Sequence, residues 1–187
     1  LEASADVDVR MGMVPIAHAN DGGGSIRIPA AANGPFGLKP SRGRVPSAPY
    51  AIAFSNLTSV PFEVSRTVRD SAVMLDALSG NLPGDVFGFG VREPGATTYA
   101  DAARREPGRL RIGLVTALVN GPDVDPELVE ATRSAARVLE GLGHTIVEIT
   151  APWDTASSMA ASGLFMGASL VATVNGRLAE LGRELRE

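Results

Sequence analysis

The stretch from Asn20 to Pro29 reads Asn-Asp-Gly-Gly-Gly-Ser-Ile-Arg-Ile-Pro and constrains the fold more than any other part of the sequence. Glycine carries no Cβ atom, so three consecutive glycines can adopt backbone angles with positive φ. A turn of this kind lets several backbone N–H groups point at one place. An anion fits there, either a bound phosphate or the oxyanion that forms when a serine attacks a carbonyl group.

Ser25 follows the glycines, and the residues alone leave several interpretations of it open. It caps the turn, borders a phosphate site, or acts as a nucleophile. The phosphate loop needs a lysine after its glycines, and Asp21 would repel a phosphate. A G-x-S-x-G elbow fails because Arg27 stands where its last glycine is required. A Ser-His-Asp triad would need His18 or His144, and neither has a recognisable triad context.

Charge and composition exclude several classes of function. The 187 residues carry a net charge of −4, whereas a nucleic acid or an anionic membrane calls for a basic surface. The chain has no cysteine and two histidines, which argues against disulfides and against thiolate or histidine-rich metal sites. We therefore expect no thiolate or histidine-rich metal site, no nucleic-acid partner and no membrane partner. No signal-peptide pattern is present, so the expected location is cytoplasmic.

A charge-free run over residues 155–176 is long enough to span a bilayer. Its serines, threonines and asparagine make it only moderately apolar. We expect a buried helix whose small residues allow close packing, with a membrane-spanning helix as the alternative. An amphipathic tail is predicted over residues 177–187.

The first half of the chain is predicted as part of one α/β domain that covers residues 1–187. Residues 1–11 are atypical and compatible with a short exposed strand or a frayed terminus. Residues 13–19 predict a buried strand that leads into the glycine loop. Glycine and proline are frequent over residues 29–46, which favours irregular structure with short strands.

The second half has the most regular pattern. Thr67 is predicted to cap a helix that runs toward Gly80, and residues 81–108 are predicted as a long loop with one short helix. Residues 109–150 predict a strand, a helix capped by Asp125, and a second strand. Such a βαβ crossover places two parallel strands in one sheet with a right-handed connection.

Two motifs resemble the amidase signature family. The first lies within residues 12–46 and reads GMVPIAHANDGGGSIRIPA, followed by GPFGLKPSRGRVP; the second is RTVRD at residues 66–70. The strand at residues 110–115 also resembles the family. The resemblance implies an α/β fold with a central mixed sheet, a βαβ crossover and flanking helices. It also implies hydrolysis of a small-molecule amide through an acyl-enzyme, with a Ser-cisSer-Lys triad and no cofactor.

The resemblance assigns roles within the glycine loop. Ser25 matches the nucleophile, and the backbone amides of Gly22, Gly23, Gly24 and Ser25 match the oxyanion hole. Preorganised N–H groups stabilise a tetrahedral oxyanion, and losing one donor costs on the order of 10²–10³ in rate.

Asp21 and Arg27 flank this loop with opposite charges. We hypothesise that the two side chains pair and that their pairing supports the shape of the loop. Replacement of Arg27 by alanine would then disorder the site.

The proton-transfer half of the triad has no counterpart in the sequence. The bridging serine of the family lies 24 positions before the nucleophile, and Leu1 occupies that position, next to Glu2. The general-base lysine is expected further upstream, and Lys39 lies at a downstream position without a triad role. The sequence is therefore expected to be partial. It is either the nucleophile-bearing part of an amidase or a non-catalytic remnant or binding module, and a homodimer is compatible with both.

We predict that residues 1–187 alone hydrolyse simple aliphatic or aryl amides slowly or not at all, because a serine hydroxyl without a neutral amine beside it is a weak nucleophile. Release of ammonia or amine measures this activity. Turnover comparable to that of ordinary amidases, abolished by Ser25→Ala, would contradict the prediction.

Overall fold

The computed structural model describes residues 2–47, 58–85, 87 and 95–184. Internal contacts divide the chain into two compact units, Leu1–Arg105 and Glu106–Glu187. The single domain predicted over residues 1–187 stays a prediction, and the two units are described separately below.

The elements of the two units alternate between helices and short strands. The first unit contains α1 (Glu2–Met11), β1 (Ile16–Asp21), α2 (Arg27–Asn33), β2 (Phe36–Gly37), β3 (Val60–Ser65), α3 (Val68–Leu78) and α4 (Tyr99–Ala102). The second contains β4 (Arg111–Leu114), α5 (Pro126–Gly141), β5 (Thr145–Glu148) and α6 (Thr155–Glu180). The predicted α/β class is confirmed.

The amino-terminal segment is a helix, so the prediction of a strand or frayed terminus over residues 1–11 is wrong. Alternating aspartate and valine suggests a strand, but Asp6 and Val9 also lie three residues apart and hence on one side of a helix. Both side chains are fully buried. Helix α1 packs against β1, α2 and β3, so burial of this one side decides the local structure.

Strand β3 is the centre of a three-stranded antiparallel sheet with the order β1-β3-β2. The sequence predicts no element over residues 51–63, of which 51–57 lie outside the described residues. Five of the six residues of β3 are buried, so both of its faces are covered and its sequence does not alternate between apolar and polar residues. Without this alternation, the sequence of β3 does not identify it as a strand.

The core of the first unit fixes both ends of the glycine loop. Ala19 of β1 lies opposite Phe62 of β3, and Asp21, the last residue of β1, lies opposite Val60. Beyond the loop, Ile26 is fully buried. The buried cluster consists of Val9, Ala19, Ile26, Ala30, Val45, Phe62, Val64 and Leu75.

The predicted helix after Thr67 is confirmed as α3. The Thr67 hydroxyl oxygen accepts a hydrogen bond from the Asp70 backbone N–H at 3.1 Å, as a capping residue does. Within the long segment over residues 81–108, the predicted short helix is present as α4. The Asp76 side chain accepts hydrogen bonds from the first two backbone N–H groups of α4, at 2.8 and 2.9 Å.

The second unit contains the predicted βαβ crossover. Strands β4 and β5 are parallel, with Ile112 paired to Ile146, and α5 connects them. The Asp125 carboxylate accepts a hydrogen bond from the Glu127 backbone N–H at 2.8 Å and caps α5. Parallel and antiparallel pairings therefore occur in two separate sheets of the described residues.

Helix α6 extends over 26 residues. It joins the predicted uncharged helix to the start of the predicted tail. None of its residues is buried, so the expectation of a buried helix is wrong for this structure. By length and composition, α6 is also the one described helix that could cross a membrane.

Removal of the buried Asp6 carboxyl should stabilise the protein. Among the described residues neither of its oxygens has a hydrogen-bond partner, and burial of an unpaired polar group costs about 1–3 kcal/mol. We expect Asp6→Ala to raise the free energy of unfolding by about that amount at neutral pH, measured by chemical denaturation. Asp8→Ala, on the same helix but partly exposed, is the control and should have a smaller effect.

The increase in the free energy of unfolding that Asp6→Ala causes should depend on pH. Burial raises the pKa of Asp6 above its ordinary value. Its contribution to stability is therefore present below the unfolded-state pKa and lost as the pH rises through the folded-state pKa. The stabilisation by Asp6→Ala should be larger at pH 7 than at pH 3 in wild-type and variant titrations. An equal or reversed difference would contradict this account.

Candidate active site

The glycine loop connects the buried end of β1 to the start of α2. The backbone N–H of Ile28 donates to the carbonyl of Gly24 at 2.7 Å, and that of Ala30 donates to the carbonyl of Ile26 at 3.2 Å. These bonds wind the chain into α2 directly after Ser25. Ser25 therefore lies in a turn whose two ends are held by the sheet and by the helix.

The Asp21 carboxylate organises the loop. It is fully buried and accepts three hydrogen bonds: from the Gly24 backbone N–H at 2.7 Å, from Arg27 Nε at 2.7 Å and from the Arg27 terminal nitrogen at 3.1 Å. The predicted pairing of Asp21 with Arg27 is therefore present. Two nitrogens of one guanidinium bind both carboxylate oxygens, which fixes the orientation of the pair.

The charge states of this pair follow from its contacts. Burial alone would raise the pKa of Asp21, but the hydrogen bonds from Arg27 and from the Gly24 N–H outweigh burial and hold that pKa below its ordinary value. The hydrogen bond to Asp21 raises the pKa of Arg27. The side chain of Arg27 is 54% exposed, so one partner is in the core and the other reaches solvent.

Gly24 has a structural role that no other residue fits. Its φ is +120°, and an added Cβ atom would lie 2.5 Å from the Cδ1 atom of Ile28. Its N–H donates to Asp21. The family resemblance predicts this N–H as an oxyanion donor, but in this structure it donates to the Asp21 carboxylate, so we assign Gly24 to the shape of the loop.

Two of the other predicted donors lie in an open part of the loop. Gly22 and Gly23 are exposed. A Cβ atom on Gly23 would meet nothing within 4 Å, and one on Gly22 would make only ordinary contact with Ser59. Within the described part of the chain, the N–H groups of Gly22, Gly23 and Ser25 have no hydrogen-bond acceptor. These three groups are therefore available to an oxygen atom that approaches from outside.

Ser25 itself is half-buried, and among the described residues its hydroxyl has no side-chain partner. Within the first unit, the His18 ring lies 3.5 Å from the Asn20 amide nitrogen and forms no hydrogen bond with Ser25 among the described residues. The structure therefore gives no support to a triad that uses His18. In the second unit, His144 accepts a hydrogen bond from the Leu110 N–H at 3.2 Å.

Lys39 lies in the electrostatic field of the loop. Burial lowers its pKa; the charge of Asp21 opposes this shift, and the charges of Arg27 and Arg42 add to it. The position of Lys39 along the chain predicts no catalytic role for it, and no sequence pattern indicates that it lies near this site.

A buried polar cluster fastens α3 to β3, the strand that pairs with β1. The Ser71 hydroxyl donates to the Glu63 carboxyl, and the Ser65 and Ser71 hydroxyl oxygens are 2.8 Å apart. Burial raises the pKa of Glu63, against the effect of the Ser71 hydrogen bond. No sequence pattern predicts this cluster, because β3 itself has no recognisable strand pattern.

The described residues contain no group of three or more histidine, cysteine, aspartate or glutamate side chains that could hold a metal ion. The loop itself combines the Ser25 hydroxyl with three N–H groups that have no acceptor among the described residues. Such an arrangement suits attack on a carbonyl carbon, with the developing oxyanion bound by the backbone.

Comparison with known sequences gives one family. Residues 8–178 match the model of the family described as Amidase. The chain is 40% identical over 141 residues to the 6-aminohexanoate-cyclic-dimer hydrolase of Pseudomonas sp. (strain NK87). That match covers 74% of this chain and 28% of the relative, so the chain spans little more than a quarter of the relative's length.

Solved structures agree with the sequence comparison. A bacterial aryl acylamidase of the amidase signature enzymes superimposes with a TM-score of 0.81 at 28% identity, over 94% of this chain and 36% of the acylamidase. The 6-aminohexanoate cyclic dimer hydrolase in complex with its substrate superimposes with a TM-score of 0.70 at 36% identity, over 79% of this chain and 30% of the hydrolase.

Loss of the Arg27 guanidinium should destabilise the loop. We expect Arg27→Ala to lower the free energy of unfolding by about 1–2 kcal/mol at neutral pH. This value is at the lower end of the range for hydrogen bonds to charged groups, because solvent screens a side chain that is more than half exposed. Since the folded-state pKa of Asp21 is lowered, the stabilisation is present above the unfolded-state pKa and lost as the pH falls through the folded-state pKa. The difference between wild type and variant should therefore shrink in acid.

Arg104→Ala provides the matched control for that measurement. Arg104 pairs with Asp101 at 3.6 Å, and both side chains are more than half exposed, so its removal should cost less than about 0.5 kcal/mol. Chemical denaturation between pH 3 and pH 7 measures the loss of unfolding free energy in both variants. Equal losses in the two variants would show that the Asp21–Arg27 pair has no special role.

Proposed function

The chain belongs to the amidase family, and from this premise we propose that it supplies the nucleophile and the oxyanion hole of an enzyme that hydrolyses carboxylic amides. The supporting observation is the loop held by Asp21, which leaves the N–H groups of Gly22, Gly23 and Ser25 without acceptors in the described part of the chain. A preformed set of donors stabilises charge that develops during reaction without the cost of reorganisation.

The proposed reaction proceeds in two halves. The Ser25 hydroxyl oxygen attacks the amide carbonyl carbon, a C–O bond forms, and the carbonyl oxygen becomes an oxyanion at the free N–H groups. The C–N bond then breaks, and the nitrogen leaves as ammonia or an amine after it takes up a proton. Water hydrolyses the resulting ester of Ser25, which releases the carboxylate and restores the hydroxyl.

The proton of the Ser25 hydroxyl requires a base. No described side chain forms a hydrogen bond with this hydroxyl, and Lys39 belongs to the electrostatic surroundings of Asp21. We assign the base to the lysine and cis-serine that the amidase signature family uses, in polypeptide outside residues 1–187. The matched relatives, which are about three times as long as this chain, have ample sequence for both groups.

The substrate proposed is a small-molecule amide. One relative is named for a cyclic dimer of 6-aminohexanoate and another is described as an aryl acylamidase. The alternative of a non-catalytic remnant is not favoured, because these relatives carry the names of hydrolytic enzymes. The cytoplasmic location and the homodimer stay predictions from the sequence.

A chimeric enzyme tests this proposal. Residues 12–184 of this chain replace the aligned segment of the aryl acylamidase, so that the host supplies everything upstream of the glycine loop. We expect the chimera to hydrolyse an aryl amide and Ser25→Ala to reduce kcat by at least about 10³-fold. Release of the aryl amine measures the rate.

Ser41→Ala is the control variant. Ser41 is exposed and should leave the rate of the chimera unchanged. A folded chimera that keeps its activity after Ser25→Ala would exclude Ser25 as the nucleophile.

A further inference from the structure

The glycine loop is bordered by cations that the proposed reaction does not use. Arg27 begins α2 directly after the loop, and Lys39 and Arg42 follow β2. The charge of Arg27 is paired with that of Asp21. Lys39 and Arg42 form no ion pair with any described carboxylate. Two positive charges after β2 therefore have no carboxylate partner in the described part of the chain.

The backbone carries Lys39 to one end of the loop. Gly37, the last residue of β2, is packed so closely that an added Cβ atom would lie 3.0 Å from the carbonyl oxygen of Ile26. Ile26 directly follows Ser25, and Lys39 is two residues beyond Gly37. The charge of Asp21 acts on the Lys39 amine. Lys39 therefore adds a positive charge near the carboxylate that holds the loop.

Arg42 lies beside the other end of the loop. Arg42 and Ser59 line the same small cavity, and Ser59 is the nearest contact that a Cβ atom on Gly22 would meet, at 3.7 Å. The guanidinium carbon of Arg42 lies 5.5 Å from the centre of the Phe87 ring. Stacking of this kind uses the face of a guanidinium and leaves its N–H edge available, and that edge can bind a carboxylate through two parallel hydrogen bonds.

The carboxylate of Asp85 lines the same cavity as Arg42 but does not neutralise it. Asp85 accepts a hydrogen bond from the Ser47 backbone N–H at 2.9 Å and forms no ion pair with Arg42. Arg42 is also exposed. Its guanidinium is therefore open to an anion that reaches the glycine loop from solvent.

We propose that the site takes amides whose acyl part carries a carboxylate, which Arg42 binds through its N–H edge while Lys39 adds a positive field. This inference rests on the proposed function, in which the N–H groups of Gly22, Gly23 and Ser25 bind the carbonyl oxygen. A substrate with both groups is bound at two points, which fixes its orientation at the reacting carbon. Complementary charge also favours such a substrate over a neutral amide.

Binding to residues 1–187 tests the proposal without catalysis. Succinamate carries one primary amide and one carboxylate, whereas succinamide carries two amides and no charge. We would titrate both into the chain and follow the NMR signals of the Gly22 and Gly23 amides. The dissociation constant of succinamate should be about tenfold lower than that of succinamide, as expected for one added charge-assisted interaction at an exposed site.

Arg42→Gln should weaken the binding of succinamate about tenfold and leave that of succinamide unchanged. Arg69→Gln is the matched control, because Arg69 is exposed on α3 and its replacement changes the net charge equally. The proposal is overturned if the two amides bind alike, if neither shifts the loop signals, or if both variants weaken succinamate equally. Sulfate that binds at these amides as tightly as succinamate also overturns it, since the site would then recognise a bare anion.

Kinetics in the acylamidase chimera separate this inference from the proposed function. Arg42→Gln should raise KM for succinanilate about tenfold with little change in kcat, and leave both constants for neutral butyranilide unchanged. Equal changes for the two substrates would overturn the proposal. A chimera that binds succinamate selectively but hydrolyses neither anilide would count against the proposed function and support the binding of a carboxylate by Arg42.

Discussion

The carboxylate of Asp21 is the interaction on which the site depends. A fully buried carboxylate is costly unless it is paired and hydrogen-bonded, and this one is satisfied by the Gly24 N–H and by two nitrogens of Arg27. These donors belong to the third glycine of the loop and to the first residue of α2. The carboxylate at the end of β1 therefore joins the strand to the loop and to the helix that follows it.

Closure of the loop divides its backbone groups into two sets. The Gly24 N–H points inward and is used for structure, whereas those of Gly22, Gly23 and Ser25 have no acceptor among the described residues. The sheet gives this turn its rigidity: β1 is held by the central strand β3, and the Glu63–Ser71 contact ties β3 to α3. The Ser25 hydroxyl and the N–H groups that we propose as oxyanion donors are thus both carried by the first unit.

The sequence predicts those parts of the chain whose local chemistry and final surroundings agree. The Asp21–Arg27 pair, the Thr67 and Asp125 caps and the βαβ crossover are of this kind. Helix α1 was mistaken for a strand because burial of Asp6 and Val9 outweighs a local pattern of alternation. Strand β3 was missed because burial on both faces removes any pattern. The commitment of the Gly24 N–H to Asp21, and the proximity of Lys39, depend on distances that no spacing along the chain encodes.

Hydrogen exchange at the glycine loop tests the central claim most directly. We would measure amide exchange of residues 1–187 by NMR and compare Gly24 with Gly22 and Gly23 in the wild type and in Arg27→Ala. The account predicts that the Gly24 amide is protected in the wild type while its two neighbours exchange rapidly, and that Arg27→Ala removes much of this protection. A Gly24 amide that exchanges as fast as those of Gly22 and Gly23 in the folded wild type would contradict it.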